Sequence, residues 1–379
     1  RGAMKMKDIP SLEEENLTRL RQLTLTLNGS ELKGGLLSAF IASHFRREGI
    51  LGDLSRFLAD WQSPSATVPV QTSGSTGAPK PMQAEKRRMA QSARRTCAFL
   101  GLRPGDSALL AMPLRYIAGK MVVVRALVQG LNLVAVEPCS SPLREVGTPL
   151  DFAALTPMQA YESLRDPVCA ERLRNVRHLL LGGGAVTGSL AKALRDFPNA
   201  VWSSYAMTET LSHIALRKVN SQDATDWYTP MPGVSVHLSG KGTLVIDAPS
   251  VCEKVLTTND IAEISPDGRF RIRGRLDNVI DTGGIKVQAE EVEQKLAERI
   301  PGAFCITSVP DDRLGEKITL LHTSGMTDTE LDALCRDVLP KYWVPRAFIR
   351  VDAIPLTGTG KTARADAKKL ALTKYFPAG

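Results

Sequence analysis

Thr72 to Lys80, TSGSTGAPK, puts two glycines, four hydroxyl side chains, one proline and one lysine into nine residues. The segment follows an alternating apolar stretch, Ala66 to Gln71, that reads as a strand. Backbone N–H groups, hydroxyls and one cation converge there, which is what a polyphosphate needs. The plain alternative is a flexible surface turn. The segment is not a Walker A motif, because Pro79 precedes Lys80 and Pro81 follows it. TGTGKTAR, Thr357 to Arg364, also fails that pattern, since residue 355 is a proline. LLLGGGAVTG, Leu179 to Gly188, follows a strand as a dinucleotide fingerprint does, but Thr187 stands where the last glycine is required. None of these glycine-rich segments fits a common nucleotide-binding fold.

Their order carries more than any one of them. TSGSTGAPK comes first, then GGGAV, then YAMTET at 205–210, TND at 258–260, GRLDNVIDTGGIKVQAEEVE at 274–293 and PLTGTGKTAR at 355–364. This series resembles the adenylate-forming superfamily, which holds acyl-CoA and aryl-CoA synthetases, nonribosomal adenylation domains and luciferases. The resemblance runs from about residue 68 to the end of the chain. Only 71 residues precede the first loop, fewer than in most relatives. In this the chain is most similar to the compact o-succinylbenzoate–CoA ligases of menaquinone biosynthesis.

The resemblance implies roles for individual residues. ATP converts a carboxylate, a poor electrophile, into an acyl-adenylate, and a thiol then displaces AMP. Both steps build negative charge on oxygen, so preorganised donors and cations matter most. Thr72, Ser73, Gly74, Ser75, Thr76, Gly77 and Lys80 would hold the β- and γ-phosphates. Glu209 would hold Mg²⁺, a taker of hard oxygen ligands, and Thr208 would touch the α-phosphate. Tyr205 would pack on adenine, and Gly183, Gly184 and Ala185 would form a shelf beside it. Asp260 would accept hydrogen bonds from the ribose, with Arg275 as a second contact. Asp277 falls at the family's hinge. Gly283 and Gly284 would line the thiol tunnel in a second conformation, with Lys286 near CoA. Lys361 matches the catalytic lysine, which bridges carboxylate and α-phosphate. For each of these a solvated turn residue is the plain alternative. Ala206 and Asn259 stand where relatives usually carry glycine. Asn tolerates positive φ best after glycine, and Ala206 requires a negative φ.

The acid pocket is less legible. MPLRYIAGK, Met112 to Lys120, occupies the family segment that gates the acyl site, with Arg115 or Tyr116 where relatives often have histidine. Arg115 and Lys120 are expected at the pocket mouth, where a cation suits a second carboxylate. Ser212 and His213 are further candidates. The resulting expectation is an AMP-forming acid–CoA ligase using ATP, Mg²⁺ and CoA on an aromatic acid, o-succinylbenzoate. Another aryl- or acyl-CoA ligase, or an enzyme loading a carrier-protein thiol, is the alternative within enzymes. A catalytically silent nucleotide-binding regulator is the alternative outside them; the intact Lys361, Glu209 and phosphate loop argue against it.

The elements that must position these residues alternate in type. Buried strands are expected at Ser107–Met112, Leu131–Val136, Phe152–Leu155, Val176–Leu181 and Val201–Ser204. Helices are expected at 85–100 and Met121–Gln129. Residues 31–61 carry helical periodicity, with Leu36, Phe40, Ile41, Phe45, Leu54, Phe57, Leu58 and Trp61 as core candidates. This pattern predicts an α/β fold: a large layered N-terminal domain over 1–276 with a small β subdomain at about 233–275, and a small, mobile α+β C-terminal domain over 277–379. A chain of 379 residues is long for one core.

Hydrophobic content of 43% and charged content of 23% suit an ordinary globular protein. A net charge of +8 is compatible with polyanionic ligands. Aromatics are only 5%, and no long basic run is present, which speaks against nucleic acid. No apolar run approaches a membrane span. The six cysteines are scattered without CxxC spacing, so a reducing cytoplasm is expected. Arg1 to Met4 reads as a remnant of cloning rather than a signal peptide. A homodimer is left open.

Overall fold

The computed structural model describes residues 4–72, 80–186, 188–358 and 360–376. Helix α1 (Leu17–Arg21) leads into a hairpin of β1 (Leu25–Leu27) and β2 (Ser30–Leu32), then α2 (Gly35–His44) and α3 (Ile50–Gln62). Strands β3 (Thr67–Gln71) and β4 (Pro81–Glu85) pair antiparallel and feed α4 (Lys86–Leu100). Alternation then sets in: β5 (Ser107–Leu110), α5 (Ile117–Gln129), β6 (Asn132–Ala135), β7 (Phe152–Leu155), α6 (Pro157–Leu164), α7 (Pro167–Arg174), β8 (His178–Leu181), α8 (Gly188–Leu194), β9 (Ala200–Ala206), β10 (His213–Lys218) and β11 (Thr229–Pro230).

Nine of these strands form one sheet, ordered β2-β1-β6-β5-β7-β8-β9-β10-β11, and every neighbouring pair from β1 to β9 is parallel. Strands buried on both faces read as near-continuous apolar runs, as the central β5, β7 and β8 do beyond their first residues. Ala108, Leu110, Phe152, Ala154 and Leu180 pack on one side with α3, α4 and α5. Leu109, Ala111, Ala153, Leu155, Leu179 and Leu181 pack on the other with α6, α7 and α8. The chain runs from β5 outward to β6, then returns to place β7 on the other flank of β5. That reversal makes the carboxyl ends of β5 and β7 the place where such a sheet leaves a crevice.

Two expected core residues lie outside it: Leu36 is 66% exposed and Phe45 45%. Apolar side chains run all round α2, but only Leu37 is buried, because the helix packs on β2 and α3 from one side.

Strands β12 (Ser235–Leu238), β13 (Thr243–Asp247), β14 (Leu256–Ile264) and β15 (Phe270–Arg275) form an antiparallel sheet whose core takes in Tyr205 and Ile214 from the large one. After a single 3-10 turn at Leu276–Asn278 come β16 (Val279–Thr282), β17 (Ile285–Gln288), α9 (Ala289–Leu296), β18 (Phe304–Asp311), β19 (Gly315–His322), α10 (Asp328–Val338), β20 (Ala347–Arg350) and α11 (Arg364–Tyr375). Among the described residues, the buried clusters divide between Phe270 and Ile280. One face of the last sheet carries Ile306, Ile318 and Leu320 against α9 and α10, and the other carries Cys305, Val309 and Leu321 against α11.

Candidate active site

The carboxyl ends of four adjacent parallel strands supply most of the candidate residues. Arg115 and Tyr116 follow β5, Met158 follows β7, Gly183 to Ala185 follow β8, and Thr208 and Glu209 follow β9. Gly183 has φ +81°, which a side-chain-bearing residue rarely adopts, so glycine is needed to turn the chain out of β8. Ala206 ends β9 without positive φ and is unstrained there. The strained position is Leu211, φ +66°, where the buried Thr210 ties the turn by accepting from Met207 N at 3.1 Å and donating to Ser212 O at 2.8 Å. Asn259 lies in extended β14, so its tolerance of positive φ is not what places it there.

Tyr205, Asp260, Arg275 and Lys361 come together. Strand pairing sets Asp260 opposite Arg275 across β14 and β15. Tyr205, 9% exposed, packs edge-on against Phe270, ring centroids 5.2 Å apart, and its hydroxyl donates to Asp260 Oδ2. Burial, then the Asp260 charge, push this phenol well above its ordinary range, so it stays a donor at neutral pH. Arg275 donates to Asp260 Oδ1 at 3.2 Å and to Asp277 Oδ2 at 2.7 Å. Burial works against the Arg275 charge, but the Asp277 hydrogen bond and the Asp260 charge outweigh it, and its pKa is raised.

Lys361 reaches this group from the C-terminal unit. Burial lowers its pKa, Asp260 raises it and Arg275 lowers it. A half-buried ammonium beside one carboxylate and one guanidinium is a cation held ready for an anion. Its loop is tight: Thr357 N donates to Lys361 O at 2.7 Å, and Gly360 N to Thr357 O at 2.9 Å. At the loop's root Arg364 makes a fork-to-fork pair with Glu293, at 2.6 and 2.7 Å. Glu293 also accepts from Ile306 N at 2.7 Å. Burial raises the Glu293 pKa against the opposing pull of Arg364.

Ser73, Gly74, Ser75, Thr76 and Gly77 lie outside the described residues. The residues flanking them are joined: Thr72 N donates to Lys80 O at 3.1 Å, and Lys80 N to Thr72 Oγ1 at 2.9 Å. Gln71 bridges to Tyr116, so this hairpin end abuts the residues after β5.

The acid-pocket candidates separate. Lys120, 8% exposed, does not stand at a pocket mouth. Its ammonium turns back along α5 to Leu114 O and lies 5.3 Å from the centre of the Phe57 ring, and burial lowers its pKa. Arg115 is exposed and stacks on Tyr116 at 4.9 Å. Ser212 and His213 point inward. His213, 7% exposed, bonds Thr96 Oγ1 at 3.1 Å, and burial with the nearby Arg125 charge pulls its pKa down to about 3. Ser212 accepts from Arg125 Nη2 at 2.6 Å.

Sequence reading passed over Arg125. It is 2% exposed, has no carboxylate partner among the described residues, and leaves Nε without a hydrogen bond. Burial pulls its pKa down to about 10. The signal was present: one charge inside MVVVRALV. A buried cation needs an anion, and the described residues supply none here. Met158 and the Glu293–Arg364 pair were also passed over.

Gly283 and Gly284 make the two-residue turn between β16 and β17, with φ +63° and +82°, beside Leu314. Lys286 is exposed on the same hairpin. A cavity of about 130 Å³ adjoins this turn, lined by Thr282, Leu314, Ile318, Tyr342 and Arg346 among others.

The family described as AMP-binding enzyme matches residues 59–250, and the AMP-binding enzyme C-terminal domain matches residues 291–361. The chain belongs to the AMP-binding enzyme family. It is 26% identical over 322 residues to 2-succinylbenzoate–CoA ligase of Staphylococcus aureus, covering 77% of this chain and 65% of that protein's length. An acyl-CoA synthetase (AMP-forming)/AMP-acid ligase II-like protein from Dyadobacter fermentans is 31% identical, with a TM-score of 0.59 over 88% of this chain and 97% of that one. O-succinylbenzoate coenzyme A synthetase from Bacillus subtilis, solved with ATP and magnesium, shares the fold at 18% identity, with a TM-score of 0.72 over 94% and 98% of the two chains.

Proposed function

We propose that this protein is an AMP-forming acid–CoA ligase, which activates a carboxylic acid with ATP and passes the acyl group to CoA. The observation that carries the reading is Lys361 of the C-terminal unit standing with Asp260, Arg275 and Tyr205 of the other. Cations and donors gathered where a carboxylate meets an α-phosphate stabilise the charge that develops there. Asp260 and Arg275 take the ribose. Tyr205 backs the adenine, with Gly183, Gly184 and Ala185 as its shelf. Lys80 and the hydroxyls of the first loop take the outer phosphates.

Magnesium takes hard oxygen donors and usually keeps only one or two protein carboxylates beside nucleotide phosphates. The exposed Glu209, next to Thr208, fits that use, and no group of three or more His, Cys, Asp or Glu able to hold a metal occurs among the described residues. Glu209 would hold the ion, which neutralises phosphate charge. Asp277 is the hinge, and Gly283, Gly284 and Lys286 serve the thiol step. The domain boundary falls at 276/277. Among the described residues no helix is long and apolar enough to cross a membrane. The six unpaired cysteines suit the cytoplasm.

For the acid we favour o-succinylbenzoate, an aromatic acid with a second carboxylate. Arg125, not Lys120, is the cation we assign to that carboxylate, with Ser212 beside it. The test is incubation with ATP, Mg²⁺ and a panel of mono- and dicarboxylic acids, with and without CoA. Pyrophosphate and thioester are followed by mass. Release of pyrophosphate that depends on the acid, and thioester that also depends on CoA, is expected. A silent nucleotide binder gives neither.

A further inference from the structure

Arg125 stands at one end of a string of side chains that runs from α5 past the start of β10 to α4. Its Nη2 donates to Ser212 Oγ at 2.6 Å. Ser212 Oγ lies 3.3 Å from His213 Nδ1, and His213 Nε2 lies 3.1 Å from Thr96 Oγ1. Thr96 Oγ1 donates in turn to Ser92 O, one turn back along α4, at 3.2 Å. Thr96, Arg125 and His213 are all buried, and buried polar groups are held by hydrogen bonds.

Counting hydrogens gives the direction of each bond. A guanidinium only donates, so Ser212 Oγ accepts from Arg125 and keeps one proton to give. Among the described residues, His213 Nδ1 is the acceptor within reach of that proton. Thr96 also has one proton. With that proton on Ser92 O, Thr96 Oγ1 accepts from His213 Nε2–H. A neutral imidazole, bare at Nδ1 and protonated at Nε2, meets both conditions and uses every proton in the string. The opposite tautomer leaves the Ser212 proton without an acceptor and draws the Thr96 proton off Ser92 O. Burial and the nearby Arg125 charge keep the ring neutral.

We propose that Thr96 and His213 are positioning residues that hold Arg125 through Ser212 by this one order of protons, and so set the preference for an acid with a second carboxylate. This rests on the ligase reading above and on the place given there to Arg125. With its proton fixed on His213, Ser212 turns a lone pair to Arg125 Nη2. That orients the guanidinium plane and leaves its Nε, which has no partner among the described residues, for the anion. Thr96 acts on Arg125 through two intervening side chains.

The order of protons is read without substrate. Two-bond proton–nitrogen correlation spectra of protein labelled at the histidine nitrogens should show a neutral His213 protonated at Nε2, its signals identified by their loss in His213→Leu. Thr96→Val removes the acceptor at Nε2, so the ring should switch to Nδ1–H and donate to Ser212 Oγ. Thr96→Ser should keep the wild-type pattern. In turnover, Thr96→Val should raise KM for dicarboxylic acids about threefold to tenfold, with KM for ATP and for monocarboxylic acids within about twofold. Thr96→Ser should recover the wild-type value. An Nδ1–H ring in the wild type, no switch in Thr96→Val, or equal KM changes for both acid classes overturns the proposal. A wild-type protein that shows the Nε2–H ring and the switch but releases no pyrophosphate with any acid keeps the order of protons and overturns the ligase reading instead.

Discussion

Arg125 and His213 decide what the interior behind β10 can do. If Arg125 meets a second carboxylate, Arg125→Ala leaves that anion unpaired. Losing one partner of a charged hydrogen bond costs about 1.5–3 kcal/mol, roughly ten- to a hundredfold in binding. The loss should appear with dicarboxylic acids and be nearly absent with monocarboxylic ones, in KM measured across the panel. Arg115→Ala and Lys120→Ala should not discriminate, since Arg115 is exposed and Lys120 is turned onto Leu114 O. Equal losses on both acid classes for Arg125→Ala would remove its role.

His213 gives a pH signature. Its folded pKa is pulled down to about 3 from an ordinary 6.5. Below about pH 6.5 the unfolded imidazole takes a proton that the folded one refuses. Its contribution is therefore full above that pH and falls as pH drops toward 3, by at most about 1.4 kcal/mol per unit. His213→Gln should flatten that part of the acid limb in denaturant titrations between pH 6 and 4. Parallel curves for the two proteins would contradict the assignment. The motifs assigned Lys361 and Asp260 to one expected site, and the structure places the two within electrostatic reach of each other. The site was not readable where the direction of a side chain decides. Lys120 and Arg125 sit five positions apart on one helix, and only packing tells that the first is satisfied by a carbonyl while the second is left with a serine.

At the scale of elements, strong apolar runs named their strands. Phe152–Leu155 coincides with expectation, and the others differ by a residue or two at their ends. Elements defined by pairing rather than by composition were missed: β1 and β2, β10 and β11, β16 and β17, and β20. So was α11, whose sequence is too polar to announce a buried face although Ala367 and Ala371 pack on β18 and β19. That helix begins with Arg364, which joins it to α9 through Glu293. Arg364→Ala would leave a largely enclosed carboxylate with only the Ile306 amide. A stability loss of about 1–3 kcal/mol is expected by denaturant midpoint. Arg364→Lys, which keeps charge but not the fork, should recover part of it. No loss in Arg364→Ala would show that the pair does not brace the loop.

Across the whole molecule, two units meet at one short connection, and Lys361 crosses between them. The sequence changes character near Asp277, and among the described residues the buried clusters end at Phe270 on one side and begin at Ile280 on the other, which supports the boundary proposed there. That the Lys361 loop lies against Tyr116 and Met158 was not legible, because contacts between distant segments leave no local trace. If the connection is a hinge, Asp277→Pro fixes φ near −65° and constrains Leu276 before it. One half-reaction should persist while the other collapses, and normal overall turnover would place the hinge elsewhere.

The central claim is that Lys361 serves the attack of a carboxylate on ATP. Lys361→Ala is measured in both half-reactions, beside the wild-type protein and with folding checked by thermal melting. The account predicts that pyrophosphate release falls by several orders of magnitude, while thioester formation from supplied acyl-adenylate and CoA continues near the wild-type rate. Equal loss of both half-reactions in a folded variant, or full retention of the first, would contradict it.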